Sequence, residues 1–161
     1  MTVPIRPGTA DDLPQVLTLI QELATFEREP DAVETTLESM QQDGFGDQPV
    51  FAFFVAEDGQ KIVGLALYFY SYSTWKGKCL YLEDLIVTES YRGQGLGRRL
   101  LDRVVMKAKE ENAKRVVWQV LDWNTPAIEF YESLGAALLP EWLTCRLTEE
   151  QIREYEPIHG A

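Results

Sequence analysis

The sequence predicts a mixed α/β fold, a central sheet flanked by helices. Three observations predict it. Stretches with a 3.6-residue apolar period alternate with short β-branched and aromatic runs in the order β-α-α-β-β-β-α-β-α-β. One of those runs passes through a glycine-rich turn straight into a long amphipathic helix, between Leu80 and Ala108. The 161 residues have an ordinary globular composition and contain no repeat, low-complexity tract or linker, so one domain is expected over residues 1–161, with a core of about 3–155.

The elements follow in order. Val3-Pro4-Ile5-Arg6 reads as a short first strand. Thr9 to Asp12 has capping-box character, and Leu13, Val16, Leu17, Ile20, Leu23 and Ala24 then form a helical stripe. The helix should stop near Phe26 to Pro30, because proline disfavours helix in the residue before it. Val33 to Gln42 is a second, more polar helix that ends at Asp43-Gly44-Phe45-Gly46. Phe51 to Ala56 and Ile62 to Tyr72 are strands joined by a hairpin turn at Glu57 to Gln60, and Ser73 to Lys78 is a loop. Leu80 to Val87 is the next strand. The helix after it places Leu96, Leu100, Leu101, Val104, Val105 and Ala108 on one face. Arg115 to Val120 is a further strand, and Asn124 caps a helix with Pro126 in its first turn and Gly135 as its stop. Strands are expected at 136–138 and 142–147, and a short polar helix from Thr148.

Composition excludes several classes. The formal net charge is −11, which opposes nucleic-acid binding and suits a cationic amine ligand. No apolar run is long enough to cross a bilayer, and the first residues lack a signal-peptide pattern, so a cytoplasmic chain away from membranes is expected. Cys79 and Cys145 are isolated, expected as buried or half-buried thiols without a disulfide. The single histidine, His159, falls in the tail, which argues against a histidine triad and against a metal site.

The turn Tyr91-Arg92-Gly93-Gln94-Gly95-Leu96-Gly97 is the chemically informative stretch. Glycines at alternate positions let backbone approach a ligand, and a turn that opens a helix aims unpaired amides and a positive dipole end outward. That combination binds phosphate. The dinucleotide spacing G-x-G-x-x-G fails at Arg98, and the Walker spacing is absent. What remains, Arg92-x-x-Gly95-x-Gly97 directly after a strand, resembles the diphosphate loop of the GNAT N-acetyltransferases; Gly93 and Arg98 fit that pattern too.

The resemblance narrows to one branch, the diamine (spermidine/spermine) acetyltransferases and their thialysine-acetylating relatives. It rests on Ile5-Arg6-Pro7, Leu19-Ile20-Gln21-Glu22-Leu23-Ala24, Asp43-Gly44-Phe45-Gly46 and Trp75-x-Gly77-Lys78-x-Leu80-Tyr81-Leu82-Glu83-Asp84. Tyr91-Arg92-Gly93 and Trp123-Asn124-x-Pro126-x-Ile128-x-Phe130-Tyr131 complete it. It implies an acyl-CoA N-acyltransferase fold: a mixed, mostly antiparallel sheet whose fourth and fifth strands splay apart. The gap would lie between Leu82–Val87 and Val116–Val120, and the pantetheine arm would enter there.

The same resemblance implies acetyl-CoA as co-substrate, a small primary amine as acceptor and a homodimer, with Tyr68, Tyr70 and Trp142 as candidate interface aromatics. Arg92, Gly93, Gln94, Gly95, Leu96, Gly97 and Arg98 would hold the diphosphate, and Asn124 and Ala127 would line the CoA arm. Glu83 and Asp84 are adjacent carboxylates in an apolar run, a placement that is uncommon unless they are paired or functional. Regular alternation sends them to opposite faces, which a bulge would change. An alkylamine is protonated at neutral pH and must lose a proton before it attacks. The resemblance makes Glu83 the base, directly or through water, and Asp84 the holder of the cation. Backbone amides of Leu85, Ile86 and Val87 are the expected oxyanion donors.

By the same analogy Tyr131, two helical turns beyond Asn124, donates a proton to the leaving thiolate. Phe26, Glu27 and Trp75 match a family amine pocket, in which a tryptophan offers cation–π contact; Trp118, Glu141 and Trp142 join the expected substrate set. Ser73 departs from the diamine pattern, which has an acid there, and this favours a short or zwitterionic amine such as a lysine analogue. With no Cys–His pair for an acyl-enzyme, direct attack in a ternary complex is expected. Three other readings stay open: a protein lysine or N-terminus as acceptor, a non-catalytic acyl-CoA sensor, and a nucleotide-binding module.

Overall fold

In a computed structural model that describes residues 2–158, strand β1 spans Ile5–Pro7 and helix α1 spans Leu13–Phe26. Helix α2 is Leu37–Phe45, β2 Ala52–Asp58, β3 Lys61–Ser73 and β4 Gly77–Val87. Helix α3 is Leu96–Glu110, β5 Val116–Val117, α4 Thr125–Ser133 and α5 Glu149–Arg153. His159 lies outside the described residues. One compact unit, ending at Leu121, holds the whole sheet, and a second begins at Asp122 and holds α4 and α5.

The sheet runs β1-β2-β3-β4-β5 in space. Neighbours are antiparallel except β4 and β5, which are parallel. The expected mixed, mostly antiparallel α/β sheet is therefore present. The β4–β5 ladder is short, pairing Leu80 with Val116 and Tyr81 with Val117. From Leu82 onward β4 has a strand neighbour only in β3, among the described residues.

Both amphipathic stripes do what their period requires. On one face of the sheet, Leu13, Val16 and Leu19 of α1 join Val55, Leu65, Leu67 and Ile86 in a buried cluster. Helix α3 buries Leu96, Leu100, Leu101, Val104 and Ala108. Each fully buried leucine contributes about 2 kcal/mol. Gly64 explains how close α3 comes: a Cβ there would lie 2.8 Å from Leu100 Cδ1. Val105, expected on the buried stripe, is 44% exposed, because it sits at the margin of the apolar arc.

A polar tie fixes the start of the chain. Arg6 donates from both terminal nitrogens to the Asp12 carboxylate, at 2.8 Å each, and from Nε to Glu57 at 2.7 Å. The backbone N–H of Thr9 donates to Asp12 at 2.8 Å, the expected cap, and only one short turn of 3-10 helix, Ala10–Asp12, precedes α1. Asp12 is buried, and Arg6 holds its carboxyl below the usual range. Asp12→Ala is expected to lower unfolding free energy by about 2 kcal/mol in urea titrations, since it strips a charged group of its partner. A depressed acid stabilises above its unfolded-state pKa, so this increment should vanish as the pH falls through the lower, folded-state value.

Some expected elements differ. The second helix starts at Leu37, where Thr36 accepts from the Ser39 amide, so its first turn lies later than Val33. The strand expected at 115–120 is only Val116–Val117. The stretches 136–138 and 142–147 are not strands; they have no ladder partner, and apolar composition alone does not make a strand. Cys79 is buried as expected, but Cys145 is exposed. Tyr68, named as an interface aromatic, is 4% exposed and stacks on Phe54. No helix among the described residues is long and apolar enough to cross a membrane.

Candidate functional site

Strand β4 carries an irregularity at its two carboxylates. Leu67 of β3 faces Asp84, and the next residue, Tyr68, faces Leu82. Glu83 is left without a counterpart, so it is the extra residue of a β-bulge. Asp84 and Tyr81 consequently share a face, the one where Leu67 and Leu65 meet α1. Tyr81 stacks on Phe69, with ring centroids 4.9 Å apart.

The electrostatics register this crowding. Burial, then the charges of Glu83 and Glu27, pushes the Asp84 carboxyl up to about 6. Glu27, the residue that closes α1, is raised by burial and then by Glu83. Tyr81 is raised by burial and then by Glu83. Three carboxylates and a phenol from α1 and β4 thus form one half-buried acidic patch. Glu83 itself is exposed and Asp84 half-buried. Phe26, next to Glu27, is 44% exposed.

The glycine turn follows the C-terminal end of the same strand, a few residues beyond the two carboxylates. Gly93 and Gly95 have φ of +75° and +74°. A Cβ at either would meet nothing within 4 Å, so backbone conformation rather than crowding demands glycine there. Gly95 caps α3, and Leu96 and Gly97 form the first turn. Among the described residues, none of the backbone amides from Gly93 to Arg98 donates to a protein acceptor; the first bond is Arg99 N–H to Gly95 O at 3.1 Å. Arg98 pairs with Asp102 along the helix at 2.8 Å. Arg92 turns away from the loop: its Nε donates to Val87 O at 2.9 Å, and its guanidinium lies 5.4 Å from the Phe26 ring centroid. Leu85, Ile86 and Val87 close β4 opposite Ala66, Leu65 and Gly64.

The remaining expected residues are placed as follows. Ser73 Oγ accepts from Arg115 at 3.2 Å and from the Trp75 and Lys76 amides, so it is engaged in the β3–β4 turn. Trp75 is 78% exposed at that turn, and Trp118 is half-buried just beyond β5. In the second unit, Asn124 Oδ1 accepts from the Ala127 amide at 3.4 Å, which makes it a helix cap. Tyr131 is half-buried, its ring 5.4 Å from that of Phe130. Glu141 and Trp142 are exposed on irregular chain. Among the described residues no group of His, Cys, Asp and Glu is disposed to hold a metal. One surface cavity, of about 540 Å³, is lined by Phe45, Phe53, Tyr68 and Arg103 among others, and by none of these site residues.

Sequence reading missed two participants. Tyr81 and Glu22 both stand in runs that carry the family resemblance, and neither that resemblance nor the apolar period gives them a role. Neither could be found from period alone, since a helix pattern says which face is polar and not what that face meets.

Comparison with known proteins gives the family. Residues 14–136 match the Acetyltransferase (GNAT) family. A thialysine N-epsilon-acetyltransferase of Bos taurus is 39% identical over 163 residues, covering 94% of this chain and 96% of that protein. One from Caenorhabditis elegans is 33% identical, covering 91% and 92%. A human spermidine/spermine N(1)-acetyltransferase-like protein 1 is 38% identical over 92% of this chain and 23% of its own length. An integron cassette protein from the mobile metagenome of V. cholerae shares the fold, with a TM-score of 0.79 at 23% identity, covering 96% of this chain and 97% of that one. The glycine turn, the strand before it and these matches agree: the chain belongs to the acetyltransferase (GNAT) family and is an N-acetyltransferase.

Proposed function

We propose that the chain transfers the acetyl group of acetyl-CoA to a primary amine of a small molecule, a diamine or lysine analogue, by direct attack in a ternary complex. The observation that carries this reading is the row of amides from Gly93 to Arg98 without protein acceptors, at the start of a 15-residue helix. Such a row suits the negatively charged diphosphate of CoA. The strand leading into it carries Glu83 and Asp84. The relatives named as thialysine N-epsilon-acetyltransferases support an amine acceptor.

In this reading the acidic patch of Glu27, Glu83 and Asp84 draws in the protonated amine. Glu83 takes its proton, directly or through water. The freed nitrogen attacks the thioester carbonyl, and backbone amides of Leu85 to Val87 support the oxyanion. The C–S bond then breaks, the new amide sheds its second proton, and the thiolate takes one. Tyr131 is assigned that last donation on the family resemblance alone, as are the CoA-lining roles of Asn124 and Ala127. Ser73 adds no negative charge, which favours a short amine over a long polyamine. A homodimer and a cytoplasmic location belong to the same proposal.

The test is turnover of acetyl-CoA with a panel of polyamines, lysine analogues and amino acids. Turnover with none of them, alongside tight CoA binding, would favour a sensor. Gly95→Ala probes the loop. Its φ of +74° is costly for a Cβ, so about 1 kcal/mol of stability should be lost. Because the amides would also be displaced, KM for acetyl-CoA should rise by about tenfold or more. An unchanged KM would remove the loop from the cofactor site.

A further inference from the structure

We propose that Glu22 is a positioning residue for the cofactor loop; this rests on reading Gly93 to Arg98 as the diphosphate cradle. Glu22 lies on α1, far from the loop in sequence. Its Oε2 accepts from Thr88 Oγ1 at 2.9 Å. Its Oε1 accepts from the Glu89 backbone N–H at 3.1 Å and pairs with Arg92 Nη2 at 3.5 Å. One carboxylate therefore gathers a hydroxyl, a backbone amide and a guanidinium from the segment that joins β4 to the glycines.

That segment is where the loop is fixed. Thr88 N–H also donates to Val63 O at 3.0 Å, and Tyr91 Oη donates to Asp58 at 2.7 Å. After Arg92 the anchoring stops: the amides from Gly93 to Arg98 have no protein acceptor among the described residues, and nothing lies within 4 Å of where side chains at Gly93 and Gly95 would be. The shape of the cradle is thus set at its two ends, by α3 on one side and by residues 88–92 on the other. Glu22 is the only carboxylate bonded to three residues of that second end, among the described residues.

Arg92 acts through the same hub. With its Nε on Val87 O, its Nη2 beside Glu22 and its plane over Phe26, it braces the loop against α1 instead of reaching toward a phosphate. Glu22 and Phe26 stand one helical turn apart, so the brace also joins the cofactor loop to the end of α1 that carries Glu27.

The experiment compares Glu22→Gln and Thr88→Val with the wild type. CoA affinity is measured by calorimetry, and steady-state constants are measured for both substrates. Expected for Glu22→Gln are a rise of about tenfold in the CoA Kd and in KM for acetyl-CoA, with kcat and the amine KM within about twofold. Thr88→Val should give a smaller rise of the same kind, about threefold. The pair Glu22→Gln with Arg92→Gln should bind CoA no more weakly than Arg92→Gln alone, since the two act as one unit. If Glu22→Gln folds and binds CoA like the wild type, the positioning role is overturned, even if melting is lowered. If Glu22→Gln does not fold, an unchanged Kd in Thr88→Val overturns it. If the wild type itself does not bind CoA, the acetyl-CoA reading fails first, and the two failures are told apart.

Discussion

Glu83→Gln is expected to lower the rate of amine acetylation by about 10²- to 10³-fold while leaving CoA affinity within about twofold. The size follows from the chemistry. An alkylammonium with a pKa near 10.4 has almost no free base at neutral pH, and a positioned acceptor for its proton is worth that range. The bulge leaves Glu83 exposed, whereas Asp84 beside it is half-buried. Glutamine keeps the length and removes the basic oxygen. Steady-state kinetics with a thiol-release assay, paired with calorimetry for CoA, checks it. A loss below about tenfold would move the proton acceptor elsewhere, with Asp84 first in line.

Asp84→Asn should act in two directions at once. The Asp84 carboxyl is held at about 6 rather than 3.8, so the folded protein pays to keep it charged at neutral pH. That difference corresponds to about 3 kcal/mol as an upper bound. The sign follows from proton binding. Between 3.8 and about 6 the folded state holds the proton more tightly, so the Asp84 penalty is absent at the low end and complete at the high end. Asp84→Asn should therefore raise unfolding free energy near neutral pH and lose that advantage as the acid side is reached. Function moves the other way. Removing one charge from the patch shared with Glu27 and Glu83 should raise the amine KM by about tenfold or more. In the wild type, the amine KM should climb as the pH falls through about 6. Urea titrations of both proteins across that range separate Asp84 from Asp12, because Asp12 is common to both.

Much of the frame was legible because it rests on period. The stripes Leu13–Val16–Ile20 and Leu96–Leu100–Val104 announce helices that face a sheet, and the hairpin at Gly59 announces antiparallel neighbours. The glycine turn was legible because only backbone needs explain glycine at alternate positions. What failed depended on partners. Leu138 and Trp142 to Leu147 read as strand by composition, yet a strand exists only where another offers its ladder. The strand at Arg115 to Val120 was found in the right place but far too long, because pairing with β4 ends after Tyr81. The bulge at Glu83 is illegible in the sequence, since an extra residue leaves no trace in apolar spacing. Glu22 was invisible for the same reason: its importance lies in three contacts made by residues more than sixty positions away.

The sheet closes around Glu83 without using it. Tyr68 opposite Leu82 and Leu67 opposite Asp84 are already consecutive on β3, so excising the intervening residue would leave every cross-strand partner where it is. The carboxylate is a supernumerary bead on an otherwise complete scaffold. A one-codon deletion there would keep the register and remove the carboxylate proposed as proton acceptor, which makes change of length, as much as change of side chain, a route by which this architecture gains or sheds such a group.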